Sequence, residues 1–359
     1  MREQAEQMGS TNSQSTTACD DNLHCAPCLS VSMIDHLRRF LPGWNDTTTK
    51  GDTAMDGALT AEQIELYERN GLLVLENVVS QKARDRVAEV FQKIVDEYAL
   101  ELVDSGELSR LYDELPFEQR WAAIRAEVPA SRPIVWRRIL IDPAVYQLWF
   151  EPGLLGAAQS ILGPEIRAYH LFNGRPREPH DPSQSIDWHQ DAFNCDDWSA
   201  DDSRILTFWI PLVPVGIESG CLAVVPGSHK QGVLPKSTDE FGITTLRDAP
   251  EFTTEPISVP MRPGDALMFN ELVLHRSLDN ISDRVRWSVD IRFSANEPAH
   301  QAKAPGGFRV SSEHEPPETF EEWVAKWDRK SGVMRRHLRR LDLYARSLSP
   351  QERRDVQSY

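Results

Sequence analysis

The sequence predicts an α+β fold, with helices in the first half and a β-sandwich or barrel in the second. Two observations predict it. Between residues 58 and 163, apolar residues recur at helical spacing between capping signals. After Gly163, short β-rich runs alternate with turns carrying Gly, Pro, Asn and Asp. Helices followed by strands, rather than strict alternation of the two, is the α+β pattern. The 359 residues, 40% hydrophobic and 26% charged, allow one large domain or two smaller ones.

The elements follow in order. Thr60 is an N-cap with Gln63 three residues on, a capping-box pattern, and Asn70-Gly71 ends that helix. LLVLENVV then reads as a strand. Ser80 caps a second helix, whose apolar stripe is Val87, Val90, Phe91, Ile94, Val95 and Tyr98. PFEQRWAAIRAEV is a further helix with Pro116 near its first turn, and residues 143–163 give one or two more. The β-rich runs are IRAYHLF, SIDWHQD, ILTFWIPLV, CLAVVPGSH, ISVPM, DALMFN, VLHRSL and RVRWSVDIRFS. Residues 1–57 read as a mobile polar extension. Residues 316–359 read as a helical tail in which Arg335, Arg336, Arg339 and Arg340 form a solvated face.

The net charge of −16 argues against a nucleic-acid partner, because phosphate binding needs a basic face. No run of about 18 apolar residues predicts a membrane span, and the N-terminus lacks the apolar core of a secretory signal. Five cysteines (Cys19, Cys25, Cys28, Cys195, Cys221) do not form a disulfide framework and fit a reducing cytoplasm. Cys25 and Cys28 form a C-x-x-C near Cys19 and His24, but without a second paired knuckle they read as incidental thiols.

One stretch, DWHQDAFNCDDW, raises a chemical question. His189 and Asp191 are two residues apart, and on a strand such residues share a face. That suits a divalent metal but needs a third ligand from another strand. His275, in NELVLHRSLDN, is the best candidate; His229, inside the turn PGSHKQG, reads as structural. Two histidines and one carboxylate make the facial set of non-haem iron oxygenases, with open positions for cosubstrate and oxygen. By spacing alone, a surface histidine and an unrelated aspartate remain an alternative. In RVRWSVDIRF, Arg284, Arg286, Ser288, Asp290 and Arg292 alternate with Val285, Trp287, Val289, Ile291 and Phe293. Periodicity leaves open whether that polar row lines a lumen or faces water.

The motifs WHQD, LTFWIPL, GCLAVVPGSHKQG, PGDALMF and HRSLDNISDRVRWSV, in that order, resemble the phytanoyl-CoA dioxygenase family, over about residues 58–310. The resemblance implies a double-stranded β-helix (jelly-roll, cupin-like) barrel with flanking N-terminal helices, spanning residues 58–315. It implies Fe(II) held by His189, Asp191 and His275, with 2-oxoglutarate and O2 as cosubstrates. It assigns Arg286, eleven residues after His275, to the far carboxylate of 2-oxoglutarate, with Ser277 helping to hold it and Asn173 and Trp209 lining the pocket. It implies hydroxylation or related oxidation of an unactivated C–H bond, releasing succinate and CO2; an aspartate at position 191 favours oxygenation over halogenation.

Arg175 and Arg177 depart from the expected Lys-Pro pattern, and the loop before the triad is long. Phe193 reads equally as substrate lining or as barrel packing. The expected substrate is a small apolar or mixed metabolite, the acidic surface weakly disfavouring a CoA thioester. Two rival functions are a hydrolytic metal centre, which would leave Arg286 and Ser277 without purpose, and a non-catalytic jelly roll that binds a metal or small molecule.

Overall fold

A computed structural model of the protein describes residues 57–128, 136, 140–181, 186–194, 205–238, 244–248, 252, 254–295 and 306–326. The C-x-x-C and the arginines at 335–340 lie outside these residues, as do the expected mobile extension and the end of the tail helix. Among the described residues no helix is long and apolar enough to cross a membrane.

The first helix, α1 (Ala61–Asn70), opens on the predicted capping box: Gln63 N–H donates to Thr60 Oγ1 at 3.2 Å, and Thr60 N–H to Gln63 Oε1 at 2.9 Å. Gly71 ends it with φ +77, a left-handed geometry suited to glycine. β1 (Leu72–Leu75) follows directly. α2 (Gln81–Asp104) is capped by Ser80 and buries Val87, Phe91, Val95 and Tyr98. Val90 and Ile94 flank that stripe, partly buried against the core. α3 (Phe117–Glu127), α4 (Pro143–Gln147), a 3-10 turn at Leu148–Phe150 and α5 (Pro152–Leu162) complete the helical half. Pro116 is the N-cap of α3 rather than part of its first turn.

The strands that form within the β-rich runs are shorter than those runs, and those at Asn173–Gly174, Lys236–Thr238, Thr244–Leu246 and Phe308–Ser311 lie outside them. They are β2 (Ile166–Ala168), β3 (Asn173–Gly174), β4 (Ile205–Pro211), β5 (Leu222–Val224), β6 (Lys236–Thr238), β7 (Thr244–Leu246), β8 (Ile257–Val259), β9 (Ala266–Asn270), β10 (His275–Ser277), β11 (Ser288–Ala295) and β12 (Phe308–Ser311). All paired strands run antiparallel. The large sheet has the order β1-β9-β4-β11-β2-β12, with β3 also on β11; the small sheet is β10-β5-β8; β6 and β7 form a hairpin. Residues 186–191 do not form a strand: His189 alone among them makes a single-residue bridge, to His275.

At the centre, β11 is buried on both faces. Val289, Ile291 and Phe293 pack into the apolar core, while Ser288, Asp290 and Arg292 are also buried. So the polar row faces inward from Arg286 onward, and only Arg284 lies outside, with its side chain 51% exposed and 3.6 Å from Glu118. The helices hold β11 in place through the 3-10 turn, where the buried Trp149 indole donates to the Arg292 carbonyl at 3.0 Å. The last helix among the described residues, α6 (Phe320–Lys326), buries Trp323 against Trp149, Phe172 and Phe308.

Replacing Trp149 with Phe removes that donor, while the Arg292 carbonyl keeps the Tyr169 N–H at 2.8 Å. The expected loss from the hydrogen bond is therefore only about 0.5–1.5 kcal/mol of stability, read from the urea midpoint; an unchanged midpoint would show that the indole bond contributes nothing.

Candidate active site

Three side chains able to hold a metal ion converge at the edge of the small sheet. His275 opens β10 and pairs with Val224 on one side. On its other side it exchanges two backbone hydrogen bonds of 3.0 Å with His189, so the two imidazoles sit opposite each other with ring centroids 4.1 Å apart. Asp191 begins a 3-10 turn, Asp191–Asn194. The expected regular strand is therefore absent, yet the chain turns so that a ligand atom from each of His189, Asp191 and His275 lies within 4.8 Å of the others. All three are buried.

The imidazoles are oriented by local backbone. His189 Nδ1 lies 2.8 Å from the Asp187 carbonyl and His275 Nδ1 lies 2.9 Å from the Val273 carbonyl. A carbonyl only accepts, so each Nδ1 carries the proton and each Nε2 keeps its lone pair for a metal. Burial pushes His189 down to about 3, with the neighbouring His275 adding to the effect, and burial also lowers His275. Both rings are thus neutral at neutral pH, as ligation requires.

The carboxylate is held from across the large sheet. Arg292 reaches Asp191 with Nε to Oδ2 at 3.1 Å and Nη2 to Oδ1 and Oδ2 at 2.9 Å, and the Thr207 hydroxyl donates to Oδ2 at 2.5 Å. Burial alone would raise the Asp191 pKa, but the Arg292 guanidinium outweighs it and holds the group well below the usual carboxylate range. Arg292 also donates to Asp290 at 2.7 Å and to the Leu171 carbonyl at 3.1 Å. Burial works against its charge, but Asp191 and Asp290 more than offset this and raise its pKa. Asp290 in turn accepts from Asn173 at 2.7 Å and Arg175 at 2.8 Å.

Farther along the same row is Arg286, also buried, with a different environment. It donates to Ser288 Oγ at 2.7 Å and the Arg175 carbonyl at 3.2 Å, while its Nε has no partner. Its guanidinium lies 5.3 Å from the Trp209 ring centroid. Burial, then the charges of Arg177 and Arg175, lower its pKa to about 9, so it remains cationic at neutral pH. A buried cation with cationic neighbours and an unpartnered N–H suits a carboxylate arriving from outside.

The other expected residues fall as follows. Trp209 adjoins Arg286, and Asn173 sits on β3 opposite Asp290. Ser277 is half-buried on β10, two residues from His275. Gln190 donates to the Gly232 and Leu272 carbonyls at 3.0 and 2.7 Å, tying WHQD to two loops. Phe193 is buried, with Lys236 Nζ 5.8 Å from its ring centroid. His229 lies apart from the triad, its Nε2 3.2 Å from the Glu68 carbonyl. Sequence reading left Thr207 and Arg292 unassigned. Thr207 shares a strand face with Trp209, the one signal that could have marked it.

A buried set of two imidazoles and one carboxylate matches the donor set of a mononuclear non-haem metal centre. The comparisons agree: the profile of the phytanoyl-CoA dioxygenase (PhyH) family matches residues 67–288, more than half the chain. The chain belongs to this family.

A 1-deoxypentalenic acid 11-beta-hydroxylase of Streptomyces arenae is 32% identical over 159 residues, 40% of this chain. That match spans only 55% of the hydroxylase. The peroxisomal phytanoyl-CoA dioxygenase of Homo sapiens is 24% identical over 251 residues, 68% of this chain and 70% of that one. The solved structure of a non-heme monooxygenase, ThoJ in its apo form, shares the fold with a TM-score of 0.50 at 17% identity, covering 77% of this chain and 96% of that one.

Removing Arg292 would leave Asp191 and Asp290 buried without their shared cation. Arg292→Met should destabilise metal-free protein by about 3–5 kcal/mol, measured by urea unfolding at neutral pH. A loss under about 1 kcal/mol would mean the pair is solvated rather than buried.

Proposed function

We propose that the chain is an Fe(II)- and 2-oxoglutarate-dependent oxygenase that hydroxylates an unactivated C–H bond of a small metabolite. The observation that carries this reading is Arg286: a buried cation with an unpartnered N–H, beside a neutral-histidine and carboxylate cluster. A hydrolytic metal centre has no use for such a cation. We further infer that the two sheets close as a double-stranded β-helix within a domain of residues 58–315. The His189–His275, Val215–Met261 and Arg177–Arg286 bridges support that closure.

In this reading His189 and His275 hold Fe(II) through Nε2 and Asp191 holds it through its carboxylate. Arg286 receives the far carboxylate of 2-oxoglutarate, with Trp209 against its guanidinium and Ser277 and Asn173 nearby. Iron with 2-oxoglutarate supplies oxidation of the C–H bond by dioxygen, releasing succinate and CO2. The chain's own residues exclude water, since the ligands are all buried, and keep both imidazoles unprotonated. The substrate is a small organic metabolite, apolar or mixed in character, taken up in the cytoplasm.

The test is anaerobic titration of Fe(II)-loaded protein with 2-oxoglutarate, followed by its visible charge-transfer band. The Kd should rise at least about 30-fold in Arg286→Ala, the equivalent of about 2 kcal/mol for a truncated buried charge pair. Iron-replete, folded wild type showing no band and no succinate release would overturn the oxygenase reading in favour of a binding protein.

In the same assay His189→Ala should abolish stoichiometric Fe(II) binding, measured by metal analysis after gel filtration. Full retention of iron would remove His189 from the ligand set.

A further inference from the structure

Arg292 lies beyond the segment that the family profile matches, which ends at residue 288. It nevertheless makes three hydrogen bonds to the Asp191 carboxylate. On the large sheet Thr207 and Arg292 are direct cross-strand partners on β4 and β11. Their side chains therefore approach Asp191 together, from one point in the register.

We propose that Thr207 and Arg292 form a clamp that makes Asp191 a one-oxygen metal ligand. They are positioning residues, and the inference rests on the oxygenase reading above. Oδ2 receives the Thr207 hydroxyl at 2.5 Å, Arg292 Nε at 3.1 Å and Nη2 at 2.9 Å. A carboxylate oxygen has two in-plane lone pairs; Nη2 is shared between both oxygens, so the Thr207 hydroxyl and Nε are the donors that fill those of Oδ2, and losing the hydroxyl opens one. Oδ1, which receives Nη2 at 2.9 Å, would then be the oxygen offered to a metal.

An arginine serves this purpose because its planar fork sets the plane of the carboxylate as well as its distance, which an ammonium does not. The fork is itself fixed from three sides. Asp290 and the Leu171 carbonyl accept from Nη1 at 2.7 and 3.1 Å, and the Trp149 indole holds the Arg292 backbone carbonyl at 3.0 Å. None of these bonds requires a metal, so the ligand is oriented before the ion arrives. Its charge cannot be its contribution to metal binding, because a cation beside Asp191 opposes a second cation. The clamp acts through geometry, and charge balance alone would predict the opposite effect of weakening it.

The test uses Co(II) as an oxygen-inert probe, titrated anaerobically into wild type, Thr207→Val, Thr207→Ser and Arg292→Lys and read by ligand-field absorption. Thr207→Val is nearly isosteric and keeps the charges, so it remains informative if Arg292 variants fail to fold. It should bind Co(II) about 10-fold more weakly, with altered ligand-field bands as the second oxygen becomes available. Thr207→Ser should restore both affinity and spectrum. Arg292→Lys, where folded, should lose about 10-fold or more.

Thr207→Val with wild-type affinity and spectrum would overturn the clamp, as would a lowered melting temperature with an unchanged spectrum. Tighter Co(II) binding in Thr207→Val would overturn it too. Wild type that binds no Co(II) would instead sink the metal centre itself.

Discussion

The interior of this protein depends on how buried charge is met along a single strand. Placing ions inside a protein costs several kcal/mol each unless opposite charge and hydrogen bonds offset it. The inward row of β11 and its extension carries Arg286, Asp290 and Arg292, all buried. Arg292 sits between two carboxylates and donates to both. Asp290 sits between Arg292 and Arg175. Signs alternate, and the desolvation cost is met bond by bond. Arg286 breaks the alternation, with cationic neighbours, two neutral acceptors and an N–H left over. Natural structures break such rules mainly where a ligand completes them, and here the incomplete position lies on the same row as Arg292, the partner of Asp191.

Much of this was legible from residue order. Capping signals at Thr60 and Ser80 and the stripe of α2 located the helices because those elements are governed by local geometry. His275, which the structure brings to His189 and Asp191, could be picked out because it follows a turn and an apolar run, the context of a buried strand. The pairing of His189 with Asp191 was anticipated for an incomplete reason: only one bridge forms, and a 3-10 turn brings the carboxylate round. A two-residue separation serves both geometries, so spacing alone cannot distinguish them.

The orientation of the polar row was not legible. Alternation reports that two faces differ, not that both are buried, and β11 is buried on both. Arg284 and Arg292 look alike in one sequence. One meets Glu118 at the surface and the other meets Asp191, 101 residues away in the chain. Nothing short of the β4–β11 register reveals which arginine is internal, and nothing short of it brings Thr207 to the same carboxylate.

The site is therefore assembled from two sources of order. Each histidine is oriented by a carbonyl two residues before it, so its aim is set wherever that short segment folds. Asp191 stands at a turn, and the bonds that orient its carboxylate come from β4 and β11. A slip of one residue in that pairing would carry Thr207 or Arg292 to the opposite face. The carboxylate would then lose its orienting partners while the imidazoles kept theirs. The apolar side chains of β11, interleaved with its charged ones and packed in the main core, make such a slip costly. The same alternation that leaves the orientation of the polar row unreadable in the sequence is thus what holds the carboxylate of the cluster in place.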